Sequence, residues 1–250
     1  MKLSGNTIFL TGGSSGIGKS LAKEFLELGN EVIICSRNEA QLKKTVEEIP
    51  GLHYVRCDIN SGLDRKEAFT YIQKEFPKMN VLINNAVVQS DYDLKAGEEG
   101  LENMDYELSL TLNAPIHLTG IFMPHLLQAE NPAIINVTSI LGYFPVTRIP
   151  IYCAGKAGFH AYTMILRKQL EDTNIKVYEV IPPKVETNLN AAGRFNARFT
   201  TEAHVGLAPD SYAKFVIEKL GEDVQDIFCP PDEKLVYELP RGGSESMRLK

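Results

Sequence analysis

Thr7-Ile8-Phe9-Leu10-Thr11-Gly12-Gly13-Ser14-Ser15-Gly16-Ile17-Gly18 decides how the chain folds. Its first five residues are a short apolar run of the kind that forms a buried strand. The run ends in glycines, and after them Ile17, Leu21, Phe25 and Leu28 lie four, four and three residues apart. That spacing builds one apolar stripe on a helix, and Gly29 stops it. Strand, glycine turn and helix follow one another without a break. Gly12, Gly16 and Gly18 permit positive φ and close backbone approach, and the amides at the helix start face outward, where a pyrophosphate binds well. The spacing is G-x-x-x-G-x-G, not the more familiar G-x-G-x-x-G. Glycine turns serve many purposes, so the position of this one, between a strand and a helix, carries the argument.

Outward from that unit the rhythm repeats. Apolar runs at Glu31 to Cys35, His53 to Cys57, Val81 to Asn84, Ala133 to Val137 and Lys176 to Ile181 read as strands, with a weaker one at Asp226 to Cys229. Runs of this kind suit parallel strands covered on both faces. Helical patterns lie between them, so the expected fold is α/β: a single-domain, doubly wound Rossmann fold spanning 1–250, with a mainly parallel seven-stranded sheet. Around 154–170 two apolar stripes appear: Phe159, Thr163, Leu166 and Leu170 on one side, and Ala154, Gly158, Ala161 and Ile165 on another. A surface helix with a second apolar stripe implies a partner subunit. The segment 186–209 has no strand pattern and reads as a substrate lid rather than a disordered insertion. The polar tail, 240–250, reads equally as frayed or as an oligomer contact.

Composition narrows the function. The 250 residues carry 26 Lys plus Arg against 32 Asp plus Glu, a net charge of -6. Nothing in that balance attracts nucleic acid or an anionic membrane. The N-terminal apolar run is too short for a signal peptide, and no stretch is long enough to span a membrane. Cys35, Cys57, Cys153 and Cys229 form no CxxC pair and read as thiols of a reducing cytoplasm. His53, His117, His125, His160 and His204 show no metal-ligand spacing, so no metal is expected. Glu98, Glu99, Glu102, Asp105 and Glu107 read as a solvated helix start.

At the ribose end, an NAD-preferring unit places an Asp or Glu about 20 residues after the glycine loop. Here the second strand ends in Cys35-Ser36-Arg37-Asn38. The acid is missing and Arg37 stands beside the gap, which favours a 2'-phosphate and hence NADP(H) over NAD(H). The plain alternative is a solvated arginine at a helix start. Asp58, followed by Ile59 at the end of the third strand, accepts from an adenine amino group or simply closes a turn.

Ser139 ends the fifth strand, and Tyr152 and Lys156 follow at i and i+4, on one helix face. Ser139 is not set in a nucleophile elbow, which argues against a hydrolase. Strand ends are where open α/β sheets bind ligands. With the glycine loop upstream, these residues make the chain resemble the short-chain dehydrogenase/reductase family from Thr7 to Thr187. Gly12, Ser14, Ser15, Gly16, Ile17 and Gly18 match its nucleotide loop, and Asn85 and Ala86 its NNAG segment. Ser139, Tyr152 and Lys156 match its catalytic set, with Asn113 in the place of the helix asparagine. Pro182, Val185 and Thr187 fall in the segment that receives the nicotinamide carboxamide. Two glycines of the pattern are replaced, by Val87 and Pro183.

The resemblance implies hydride transfer between the nicotinamide and a carbonyl or alcohol substrate, with Tyr152 as acid and base. Ser139 would hold the substrate oxygen, and Lys156 the nicotinamide ribose. A phenol with a pKa near 10 is a poor base at neutral pH. Lowering it by roughly 2–3 units takes about 3–4 kcal/mol. An ammonium at about 4 Å supplies about 4 kcal/mol at an effective dielectric near 20, so Lys156 is expected to lower the phenol. Pro115 cannot donate to the Thr111 carbonyl, so the helix is expected to loosen at Asn113 and admit a water. A homodimer or homotetramer is implied too. The competing reading is a non-catalytic NADP(H) sensor on the same fold.

Overall fold

The computed structural model describes residues 1–187, 189 and 206–230. Seven parallel strands form one sheet in the order β3-β2-β1-β4-β5-β6-β7. They are β1 (Thr7–Thr11), β2 (Glu31–Ser36), β3 (His53–Arg56), β4 (Met79–Asn84), β5 (Ala133–Val137), β6 (Lys176–Ile181) and β7 (Asp226–Phe228). Strand order reverses between β1 and β4, which opens a crevice at their carboxyl ends. The glycine loop lies there.

The helices are α1 (Gly16–Glu27), α2 (Glu39–Glu48), α3 (Gly62–Glu75), the short α4 (Met104–Leu108), α5 (Ala114–Leu126), α6 (Pro150–Gln169) and α7 (Pro209–Gly221). Alternation along each strand divides the core in two. Ile8 and Leu10 of β1 pack with Leu21 and Phe25 of α1, Leu42 of α2 and Val216 of α7. Phe9, between them, packs on the opposite face with Ile72 of α3, Phe122 of α5 and Leu166 of α6. Both faces of the sheet are thereby covered, as a doubly wound fold requires. None of the described helices is long and apolar enough to cross a membrane.

Two features differ from the sequence expectation, and a third is as the second stripe suggested. β3 is an edge strand whose residues are exposed or half-buried, so burial on both faces fails there. β4 begins two residues before the expected Val81, because Asn80 Nδ2 donates to Asn6 Oδ1 (3.1 Å) and to the Glu130 carbonyl (2.9 Å), fixing that end by long-range bonds. The second stripe of α6 faces outward: Ile165 is 59% exposed and Met164 beside it 47%. Most of the 186–209 segment, and the whole 240–250 tail, lie outside the described residues.

Candidate active site

The glycine loop is shaped by contacts no larger residue allows. Gly12 has φ +70°, and a Cβ there would lie 2.8 Å from Ala86 Cα. A Cβ on Gly18 would lie 2.3 Å from the Gly12 carbonyl oxygen and 2.4 Å from Asn85 Nδ2. Asn85 locks the loop to β4: its Nδ2 donates to the Thr11 carbonyl at 2.9 Å, and its N–H to Thr11 Oγ1 at 2.9 Å. Ser15 caps α1 through extended backbone, with no side-chain cap bond.

A cleft of about 430 Å³ runs over this loop. Gly12, Ser14, Ser15, Gly16, Ile17, Gly18, Arg37, Asp58, Ile59, Asn85, Ala86, Val87 and Thr187 all line it. The volume lies within the roughly 300–1,000 Å³ of small-molecule sites. A backbone cradle that closes on any added Cβ, at a helix start, fits a dinucleotide pyrophosphate. At the far end Arg37 donates to the Tyr106 hydroxyl, its guanidinium 5.3 Å from the ring centroid. The helix cap here is Asn38, which accepts from the Gln41 N–H, so Arg37 has no capping task. Asp58 Oδ1 accepts from the Asn60 N–H at 3.0 Å and closes a turn while still lining the cleft.

Beyond the cleft, Tyr152 and Lys156 lie on one face of α6, with the Lys156 Nζ 5.8 Å from the Tyr152 ring centroid. Nζ donates to the Val137 carbonyl at 2.7 Å. Ser139 follows two residues later and caps a short turn, accepting from the Leu141 N–H. Pro182 is tied to the same corner, its carbonyl accepting from the Ile140 N–H at 3.0 Å. Val185 is buried and pairs with Leu207, and Thr187 packs against Gly16. Val87 joins Ile149, Tyr152, Cys153 and Leu141 in a small apolar cluster, making a wall shared by the cleft and the phenol. Pro183 is half-buried beside Pro182.

The electrostatics depart from expectation. Lys156 was expected to lower the Tyr152 phenol, but burial pushes it up to about 12, with the Ser139 hydrogen bond acting against that rise. Burial likewise takes Lys156 down to about 7, opposed by the Glu179 carboxylate. Both side chains are shut away from water, at 6% and 2% exposure, and desolvation is the largest influence on each.

Two assignments change. Asn113 is exposed to solvent. The helix does loosen, into a π turn over Ser109–Asn113 in which the Ala114 N–H reaches back five residues to the Ser109 carbonyl. The wider turn places Thr111, not Asn113, toward α6: a Cβ on Gly155 would lie 2.9 Å from Thr111 Cγ2. Thr111 is buried, and its hydroxyl has no hydrogen-bond partner among the described residues. Second, Glu98, Glu99, Glu102 and Asp105 are exposed as expected, but Glu107 is fully buried and accepts from the Tyr92 hydroxyl at 3.1 Å. An acidic run with one buried member gives no sign of it in sequence.

Comparison with known proteins follows the same line. Residues 6–196 match the sequence profile of short chain dehydrogenases. The chain is 41% identical over 227 residues to an uncharacterized oxidoreductase of Bacillus subtilis, DltE, covering 91% of this chain and 89% of that one. It is 29% identical to a 3-oxoacyl-[acyl-carrier-protein] reductase of Thermotoga maritima, covering 87% of this chain and 91% of that one. A short chain dehydrogenase/reductase from Burkholderia phymatum, solved in complex with NAD, superposes with a TM-score of 0.80 over 91% of this chain and 89% of that one, at 21% identity.

Proposed function

The chain belongs to the short-chain dehydrogenase family, and from that premise we propose that it is an NADP(H)-dependent oxidoreductase interconverting a small or medium carbonyl compound and its alcohol. The observation that carries the reading is the convergence of Ser139, Tyr152 and Lys156 at the carboxyl edge of the sheet, next to the glycine-loop cleft. The relationship to a 3-oxoacyl reductase supports carbonyl chemistry in particular.

When bound, the dinucleotide supplies or accepts the hydride. Gly12 to Gly18 would hold its pyrophosphate, Asp58 and Ile59 its adenine side, and Thr187 its carboxamide end. Arg37 would hold a 2'-phosphate, with no acidic residue at the end of β2 to repel it. In the reductive direction Tyr152 holds the proton that the substrate oxygen takes up; in the oxidative direction it receives that proton back. A phenol raised by burial keeps its proton at neutral pH, as a proton donor must. Ser139, whose hydroxyl meets the phenol, orients the same oxygen. Lys156 lies beneath, its ammonium steadying the phenolate left after transfer. Val87 and Leu141 exclude water from the phenol. The outward stripe of α6 at Ile165 and Met164 supports a homo-oligomer, and the thiols of buried Cys35, Cys57 and Cys153 a cytoplasmic location.

The test is titration with NADPH and NADH followed by a panel of aldehydes, ketones and diketones, read by loss of nicotinamide absorbance. Tyr152→Phe is expected to bind NADPH as the parent does and to turn nothing over. Arg37→Ala is expected to weaken NADPH far more than NADH; equal losses would sink the phosphate role. Tight NADPH binding with no turnover of any carbonyl would favour a sensor instead.

A further inference from the structure

Glu179 is fully buried in the middle of β6, between Tyr178 and Val180. A carboxylate so placed is costly unless it is paired and hydrogen-bonded. Thr138 Oγ1 donates to Glu179 Oε1 at 2.7 Å. Both carboxylate oxygens lie within reach of His160 Nδ1, at 3.0 and 2.9 Å, and the Tyr143 hydroxyl meets the same nitrogen at 2.8 Å. The proposed proton transfer uses none of these four residues.

Their placement ties them to the site. Tyr152, Lys156 and His160 stand one helical turn apart along α6, so phenol, ammonium and imidazole form a row on one face. Thr138, which Glu179 holds, sits between Val137, whose carbonyl takes the Lys156 ammonium, and Ser139. One carboxylate therefore anchors the strand end on which Lys156 rests. The other charges near it are matched elsewhere: Arg167 of α6 pairs with Asp226 of β7, the register neighbour of Glu179, at 2.6 Å. Lys156 itself bonds to a neutral carbonyl.

We propose that Glu179, held by Thr138 and His160, is the buried counter-charge of Lys156 and a positioning residue for the Ser139–Tyr152–Lys156 site. The inference rests on the proposed function in taking Lys156 to work as an ammonium. Its direction agrees with the effect of the Glu179 charge, which opposes the lowering of Lys156 by burial.

The experiment reads Lys156 without turnover. In protein carrying lysine labelled with carbon-13 at Cε, the Lys156 signal is identified by its loss in Lys156→Met and followed against pH. Glu179→Gln keeps the size and the bond from Thr138 but removes the charge. It is expected to shift the Lys156 midpoint down by about one pH unit or more; Glu179→Asp is expected to restore most of it. An unmoved midpoint overturns the proposal. If the single variant does not fold, the double variant His160→Gln/Glu179→Gln, two amides able to bond each other, reads the same midpoint with the same two outcomes. With a carbonyl substrate in hand, the fall of reductive kcat/KM at high pH is expected to begin at lower pH in Glu179→Gln. A loss of equal size at every pH is the mark of a purely structural role and overturns the proposal as well. Turnover surviving in Tyr152→Phe would instead defeat the proposed function, while the Lys156 titration stands on its own.

Discussion

The Lys156 ammonium donates to the Val137 carbonyl at 2.7 Å, while the rings of Tyr152 and Phe159 flank it, each 5.8 Å away. One neutral acceptor does not replace a hydration shell, which is why burial takes this lysine from 10.5 down to about 7. The folded state bears the cost of the charge in full below about pH 7, where both states are protonated. Between about 7 and 10.5 the unfolded chain holds more protons, so this group makes stability rise with pH. Lys156→Met is therefore expected to stabilise the fold most at pH 6, on the order of a few kcal/mol, and progressively less toward pH 10. Melting curves across that range decide it. A gain independent of pH would mean the ammonium is solvated.

Gly18 touches two backbone-anchored groups at once, the Gly12 carbonyl and the Asn85 amide. Gly18→Ala is expected to destabilise the fold by about 1–3 kcal/mol and to abolish nucleotide binding, because the loop must open to admit a methyl group. Gly120 of α5 is the control. A Cβ there meets nothing within 4 Å and its φ is helical, so Gly120→Ala should stabilise by about 0.4–1 kcal/mol with binding unchanged. Denaturant melts and NADPH titrations of both variants test the pair. Normal binding in Gly18→Ala would show that the loop is not the pyrophosphate cradle.

The positions of the strands along the chain were legible because each apolar run is bounded by glycine, proline or a polar cluster; β1, β5 and β6 span the residues expected. Tyr152 and Lys156 were legible as a pair because i and i+4 share a helix face whatever surrounds them. Thr111 was hidden because it lies inside the π turn over Ser109–Asn113, where the regular 3.6-residue period that predicts which side chain faces α6 does not hold. Glu107 and Glu179 were hidden for different reasons. The first sits in an acidic run that looks solvated. The second stands alone in the apolar run of β6, where a lone carboxylate inside a covered strand is itself the signal of a buried partner. The protonation of Tyr152 and Lys156 depends on how much protein covers them, and no local spacing carries that.

Thiol chemistry offers a test of the burial pattern. Cys35 of β2 and Cys57, just after the neighbouring β3, line the floor of the cleft, 0% and 1% exposed. Their contact and burial push the Cys35 thiol well above its usual value, and burial also raises Cys153. Cys229, just after β7, is half-buried. Thiolate, not thiol, reacts with alkylating agents. Iodoacetamide at pH 8 is expected to modify Cys229 first in the native protein and to reach the other three only on unfolding. Peptide mass mapping after timed quenching reads the order. Early labelling of Cys35 would show that the cleft floor opens.

Thr111 fills the space against Gly155 with its methyl group, while its hydroxyl meets no partner among the described residues, beside a turn whose Pro115 has already removed one backbone donor. A buried hydroxyl without a bond costs about 1–3 kcal/mol, and a widened turn leaves carbonyls that a water would satisfy. If the hydroxyl holds such a water for proton return to the Tyr152–Lys156 site, Thr111→Val is expected to lower kcat at least roughly tenfold. NADPH affinity should not change, and stability should hold or rise by about 1 kcal/mol. Asn113→Ala, at the exposed position, should change none of the three. Single-turnover kinetics with and without deuterated solvent measure the step directly. Full activity in Thr111→Val would make the residue a space-filler and move the proton path elsewhere.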